Sequence, residues 1–345
     1  MERSKLTTLC YMEREGEWLM LHRVSKKNDV NKDKWIGIGG HFEENESPEE
    51  CLLREVKEET GLTLTSWRFR GLVTFRSTGG PVEDMEYMCL YTAEGFQGEM
   101  TDCEEGCLEW VRKERLNELN LWDGDEIFLN YLAEERPFFS LKLEYRGNLL
   151  LKAELDGREL ELFEVLNEDG SSAGRIKERS LVHRDGDWHG TVHTWIVRRR
   201  ENEWELLFQK RSEQKESFPG KYDISSAGHR QAGEDALVAA VRELREELGL
   251  CVKPEDLEFL RLRKGVVQEN FHGKPYYDRE IASLYLYEKP MDTKKLVFQD
   301  GEVESVHWVS LKVCREEILA GDSRYCVRPD EIQMISEALE QKKQC

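Results

Sequence analysis

Three glutamates, Glu55, Glu58 and Glu59, stand at positions i, i+3 and i+4 in the stretch Arg54-Glu55-Val56-Lys57-Glu58-Glu59-Thr60-Gly61-Leu62. On a helix that spacing puts three carboxylates on one face within a single turn. Carboxylates held so close repel one another unless a divalent cation lies among them, and hard oxygen donors favour Mg2+ or Mn2+. A solvated acidic face is the simpler alternative. The array extends upstream to Gly40 and Glu46, and all of it recurs 188 residues later as Gly228, Glu234, Arg242, Glu243, Leu244, Glu246, Glu247, Gly249 and Leu250. The chain therefore contains two copies of one acidic site.

Each copy needs a helix to display it. Ser47 can cap the first, Pro48 suits its first turn, Glu50 can close a capping box, and Gly61 can end it, so a helix is expected from Pro48 to Thr60. Leu52, Leu53 and Val56 then face a core. The second helix should run from a cap at Asp235 to Gly249. Around the first, strands are expected at 6–11, 18–21, 67–75, 86–92, 108–111, 138–145 and 149–155, with a turn at Ser77-Thr78-Gly79-Gly80-Pro81 and a helix over 125–132. Around the second, strands are expected at 160–166, 192–197, 204–209, 280–287 and 306–309. A last amphipathic helix begins at Pro329 and turns Ile332, Ile335 and Leu339 inward. The mixture predicts an α/β fold with mixed sheets, in two domains, 1–156 and 157–345.

With 50 basic and 70 acidic residues the net charge of the 345-residue chain is −20. Such a field disfavours nucleic-acid polymers and anionic membranes, while local cations can still hold small phosphorylated ligands. The nine cysteines form no C-x2-C pair, and Met1-Glu2-Arg3-Ser4-Lys5 leads into no secretory apolar run. The expectation is a reduced, soluble, cytoplasmic protein.

Both arrays match the signature of the Nudix family, G-x5-E-x7-R-E-U-x-E-E-x-G-U. The resemblance implies two α/β/α sandwiches in tandem and metal-assisted attack of water on the phosphorus of a nucleoside diphosphate derivative. It makes Glu55, Glu58, Glu59 and the Gly39 carbonyl metal ligands, with Glu105 as an additional acidic ligand. Glu243, Glu246 and Glu247 take the same part in the second copy. Glu55 is also a candidate base, and Arg54 and Arg242 hold the acids in place.

Residues 4–155 resemble the MutT-type oxidised-purine triphosphatases, which makes Trp35, Trp122 and Asp125 the base-recognition positions. Ile36 and Gly124 depart from that pattern. From Glu161 onward the chain resembles isopentenyl-diphosphate isomerase and its Nudix relatives, on Gln209-Lys210-Arg211, Phe218-Pro219-Gly220, Ser225-Ser226-Ala227-Gly228-His229 and Tyr277-Asp278-Arg279-Glu280. Arg179, Arg211 and Lys215 would then be diphosphate-binding cations. Ala227 replaces the cysteine that such an isomerase needs for its proton, while Glu243 and Glu246 restore hydrolase carboxylates. His183, His189, His193 and His229 are either metal ligands or satisfied structural histidines. Two hydrolases of small nucleotide or diphosphate substrates are expected. The alternatives are one active domain beside a ligand-binding one, and a C-terminal isomerase.

Overall fold

The computed structural model describes residues 5–25, 29–79, 84–215, 217–271 and 274–342. The N-terminal Met1 to Ser4 and the Gly80-Pro81 end of the expected turn lie outside the described residues. The chain divides into two compact units, Met1–Leu162 with Ile176–Glu178, and Phe163–Arg175 with Arg179–Cys345.

The first unit contains β1 (Lys5–Arg14), β2 (Glu17–His22), β3 (Trp35–Ile36), α1 (Pro48–Thr60), β4 (Thr63–Thr78), β5 (Asp84–Gln97), β6 (Cys107–Arg112), α2 (Asp123–Ala133), β7 (Phe139–Arg146), β8 (Leu149–Leu155) and β9 (Arg158–Glu159). Leu9, Cys10, Tyr11 and Met12 are consecutive and all buried, as a strand covered on both faces requires. β1 accordingly runs through the middle of the sheet β3-β2-β1-β5-β4-β7-β8-β9, with β6 beside β2. The β1–β5 and β4–β7 pairs are parallel and the other pairs antiparallel. The expected capping box of α1 is present, and Gly61 adopts the left-handed conformation at φ 74° that ends the helix. Leu52 and Val56 are fully buried against Cys10, Leu19, Leu21 and Tyr91, so burial of one helix face leaves Glu55 and Glu58 on the other.

The second unit repeats this plan with β10 (Leu162–Leu166), β11 (Ser172–Glu178), α3 (Arg179–Asp185), β12 (Trp188–Arg200), β13 (Glu203–Arg211), β14 (Tyr222–Asp223), β15 (Ser226–His229), α4 (Ala236–Leu248), β16 (Leu257–Phe271), β17 (Lys274–Tyr287), β18 (Val303–Ser310), α5 (Leu311–Leu319) and α6 (Pro329–Gln341). β12 is its central strand, parallel to β17 and antiparallel to β13 and β15. Asp235 caps α4 by accepting from Leu237 N–H at 2.8 Å, and Gly249 ends it at φ 63°. Ile332, Ile335 and Leu339 of α6 are fully buried.

Several elements go beyond the sequence expectation, among them the short strands β3, β9, β11, β14 and β15, and α3, β16 and α5. α3 has seven residues, too few for a helical period to register. A bulge between Phe259 and Arg261 breaks the two-residue alternation of β16. α5 lies directly behind β18 with no glycine or proline between them. Among the described residues no helix is long and apolar enough to cross a membrane.

Candidate active site

In each unit the acidic face is assembled by one arginine. Arg54 donates from Nε to Glu46 Oε1 at 2.6 Å, from Nη2 to Glu46 Oε2 at 2.9 Å, from Nη1 to Glu55 Oε1 at 2.7 Å and Glu58 Oε2 at 3.1 Å, and from Nη2 to the His41 carbonyl at 3.0 Å. Arg242 makes the same five contacts. They run to Glu234 at 2.8 Å twice, Glu243 at 2.6 Å, Glu246 at 2.9 Å and the His229 carbonyl at 2.9 Å. A planar guanidinium with five fixed donors suits this task, whereas an ammonium could not span it. The paired bond from Arg54, aided by the Glu43 amide, holds Glu46 down at about 2. The third glutamate is fixed by backbone: Glu59 Oε2 accepts from Gly39 N–H at 3.1 Å, and Glu247 Oε2 from Ala227 N–H at 3.2 Å.

The donor set fits a hard divalent cation. A Cβ at Gly40 would lie 2.6 Å from the Glu55 carboxylate, and one at Gly228 would lie 2.1 Å from that of Glu243, so the absent side chains are what let these acids lie against the backbone. Burial raises Glu243, against the pull of Arg242. Burial and then the Glu243 charge push Glu247 up to about 8. Oxygen donors crowded until protons return to them are where a cation's charge has most effect.

Glu105 is engaged by Arg23 Nη1, and Arg23 also donates to Asp29 at 2.8 Å. Asp125 is buried beneath the start of α2, and Trp122 stands as the N-cap residue of that helix. The Trp122 indole donates to Asn31 Oδ1 at 2.8 Å, meets Tyr145 edge-on at 5.8 Å, and has the Lys34 ammonium 4.8 Å from its ring centre. Trp35, on the neighbouring β3, stacks on His22 at 4.5 Å. Burial pushes Asp125 up to about 8, partly relieved by Lys34 and reinforced by Glu126 and Glu86.

The four histidines of the second unit separate. Ring nitrogens of His183, His189 and His229 lie within 4.8 Å of one another. Nε2 of His183 is buried without a hydrogen-bond partner, while Nε2 of His189 and Oδ1 of Asp278 are buried 3.3 Å from each other as an ion pair. Phe163 stacks on His229 at 4.6 Å and on His189 at 5.5 Å. Burial, then His189, lowers His183 to about 4; burial, then the Arg179 charge, takes His229 well below its usual value, so both offer neutral nitrogens. His193 faces a different set. Burial opposes its charge, but Glu331 at 3.0 Å and Glu280 at 3.7 Å prevail and hold it protonated. Arg211 is bound to Asp223 at 2.9 Å and to the Ser217 carbonyl, and Lys215 is paired with Glu302. Phe163 and Glu302 carried no sequence signal: one lay in an ordinary apolar strand, the other in an acidic loop of an acidic chain.

The NUDIX domain profile matches residues 3–132 and again 187–328. The chain belongs to the Nudix family. It is similar to an uncharacterised Nudix hydrolase of Clostridium acetobutylicum, 38% identical over 145 residues that make up 42% of this chain and 68% of that protein. It is also similar to Nudix hydrolase 3 of Arabidopsis thaliana, 38% identical over 169 residues, 48% of this chain and 21% of that one. A third relative is the oxidized purine nucleoside triphosphate hydrolase of Mus musculus, 26% identical over 113 residues, 33% of this chain and 71% of that enzyme. The protein is thus a Nudix hydrolase with two Nudix domains in tandem.

The elevated Asp125 has a consequence for stability. The folded state keeps a proton to about 8 that the unfolded chain loses near 3.8. Its contribution is complete below the lower value and declines as pH rises to the upper one, at most about 1.4 kcal/mol per pH unit. Asp125→Asn should flatten this decline in urea unfolding of the first unit between about pH 4 and 8. An unchanged slope in the variant would mean that Asp125 is ionised in the folded protein.

Proposed function

We propose that both Nudix domains, 1–156 and 157–345, are metal-dependent phosphoanhydride hydrolases. The first acts on a nucleoside triphosphate with an oxidised purine base, giving the monophosphate and diphosphate. The second acts on a compact diphosphate. The observation that carries the reading is the duplicated arginine network, which presents the same carboxylates in the same arrangement twice.

Glu55, Glu58, Glu59 and the Gly39 carbonyl would hold Mg2+ or Mn2+ in the first domain, joined by Glu105 when it leaves Arg23. Glu243, Glu246 and Glu247 would do so in the second. The cation supplies charge neutralisation at the phosphate oxygens and a more acidic water. Glu55 and Glu243, each fixed by its arginine, would serve as general bases. At neutral pH a protonated Asp125 can donate a hydrogen bond to a base edge, while Trp122 and Trp35 offer aromatic surface. The mouse relative's name supports an oxidised purine as the base.

In the second domain His183, His189 and His229 would hold a further cation, since their ring nitrogens lie within 4.8 Å of one another, with Asp278 3.3 Å from His189 to orient it. Arg179, Arg211 and Lys215 would meet the diphosphate. This histidine set also favours the isomerase reading, but Ala227 stands at the thiol position and has no proton to give.

Three outcomes are expected. Glu58→Gln should lower nucleoside triphosphate turnover by about a hundredfold or more with the circular dichroism spectrum intact, while Glu246→Gln leaves that activity alone. Equal losses from both would contradict two independent sites. Asp125→Ala should reduce kcat/KM for the preferred purine by about 1 to 3 kcal/mol and change little for a triphosphate lacking that base. A uniform loss over all nucleotides would point to packing instead. Incubated with isopentenyl diphosphate in deuterated water, the enzyme should show no deuterium in the prenyl chain by NMR. Exchange at a catalytically useful rate would favour isomerisation, with Glu280 as the nearest alternative acid.

A further inference from the structure

Corresponding bonds tie an acidic loop to the box helix and to the loop after β2 or β13 in the two domains. In the first, Thr101 N–H bonds the Thr60 carbonyl at 2.9 Å and Ser25 N–H bonds the Glu105 carbonyl at 3.4 Å. In the second, Val297 N–H bonds the Leu248 carbonyl at 3.0 Å and Ser212 N–H bonds the Glu302 carbonyl at 3.0 Å. Thr60 and Leu248 are equivalent box positions, 188 apart, so Glu302 occupies the place that Glu105 has in the first domain. The spacing hides this, because Glu105 follows Glu59 by 46 residues and Glu302 follows Glu247 by 55 (105 − 59 and 302 − 247). In each case the acid is ion-paired to a cation from the loop after an equivalent strand, β2 or β13: Arg23 with Glu105, Lys215 with Glu302.

We propose that Lys215 and Glu302 form an ion-exchange latch over the second site. In the free enzyme each neutralises the other. When a metal and a diphosphate arrive together, Glu302 passes to the metal and Lys215 to a phosphate oxygen. Opposite charges are exchanged in pairs, so neither side chain is left uncompensated. Reach permits it. Gln299 N–H bonds the carbonyl of Glu247 at 3.3 Å, and Glu302 follows three residues later, a span of at most about 10 Å. The pair is also open to exchange, with the Lys215 side chain 23% and that of Glu302 33% exposed. The latch rests on the reading of the second domain as a metal-dependent diphosphate hydrolase.

The test uses the full chain with Glu55→Gln, Glu58→Gln and His183→Gln, so that neither the first site nor the histidine cluster contributes and the Glu243, Glu246 and Glu247 site is read by itself. Mn2+ binding is followed by electron paramagnetic resonance, and inorganic pyrophosphate binding without metal by calorimetry. The latch requires crossed effects. Lys215→Met should tighten Mn2+ about threefold and weaken pyrophosphate about tenfold, while Glu302→Gln should weaken Mn2+ about tenfold and tighten pyrophosphate about threefold. Lys215→Arg should restore both affinities. A merely structural ion pair would leave both affinities unchanged or move them in the same direction in both variants, and either result overturns the latch. Glu246→Gln separates the two levels. If it weakens Mn2+ but the crossed signs are absent, the latch alone fails; if it leaves Mn2+ untouched, the hydrolase reading of this domain fails and takes the latch with it.

Discussion

One guanidinium per domain holds the site together. Carboxylates one helical turn apart would splay toward water to lower their repulsion, and helix geometry alone cannot prevent it. Arg54 and Arg242 prevent it by spreading five donors over two glutamates of the helix, a third from the preceding loop and a loop carbonyl. The Glu46 or Glu234 partner matters as much as the helix acids. Its two oxygens fix the plane of the guanidinium, and that plane sets where the other carboxylates lie.

The rest of each domain meets the demands of this contact. The loop carbonyl must sit beside the helix, which Gly40 and Gly228 allow because a Cβ there would occupy the Glu55 or Glu243 carboxylate. The helix must start and stop in register with the loop. The Ser47 capping box and the Asp235 cap fix the starts, and the left-handed Gly61 and Gly249 fix the ends. The opposite helix face must be buried. Leu52 and Val56 in the first domain, and Ala240 and Leu244 in the second, do this against the apolar faces of their sheets. Loss of any of these would let the arginine turn away from one of its partners.

Much of this was legible in the sequence because it is local. Caps, glycines and the three-and-four spacing all lie within a stretch of about 20 residues, where chain geometry determines neighbours. The central strands were legible for a different reason, since Leu9 to Met12 and Trp195 to Val197 are apolar runs of the kind a covered strand accommodates. What was not legible depends on contacts between distant segments. That His193 belongs with Glu331 rather than with His183, His189 and His229 depends on α6 packing beside β12, 138 residues away. Phe163 could not be distinguished from any other core phenylalanine before β10 was seen to lay it on two imidazoles. The elevation of Asp125 is likewise a property of its burial, which no residue type announces.

The two domains keep one network while the residues around it differ. Every group that Arg54 or Arg242 touches lies between the loop glycine and the helix, so the network depends little on what surrounds it. The recognition candidates come from elsewhere: β3 and α2 supply Trp35, Trp122 and Asp125 in the first domain, and β10, α3, β12 and β17 supply Phe163, His183, His189 and Asp278 in the second. Changes in those elements leave the arginine's bonds intact, so specificity can diverge while the carboxylate array stays fixed. An indole face with a protonated acid suits a flat polar base. Three imidazoles with ring nitrogens within 4.8 Å of one another make a surrounding of a different chemical kind. The shared part holds the carboxylates in one arrangement, and the parts that differ set the chemistry of the surfaces around them.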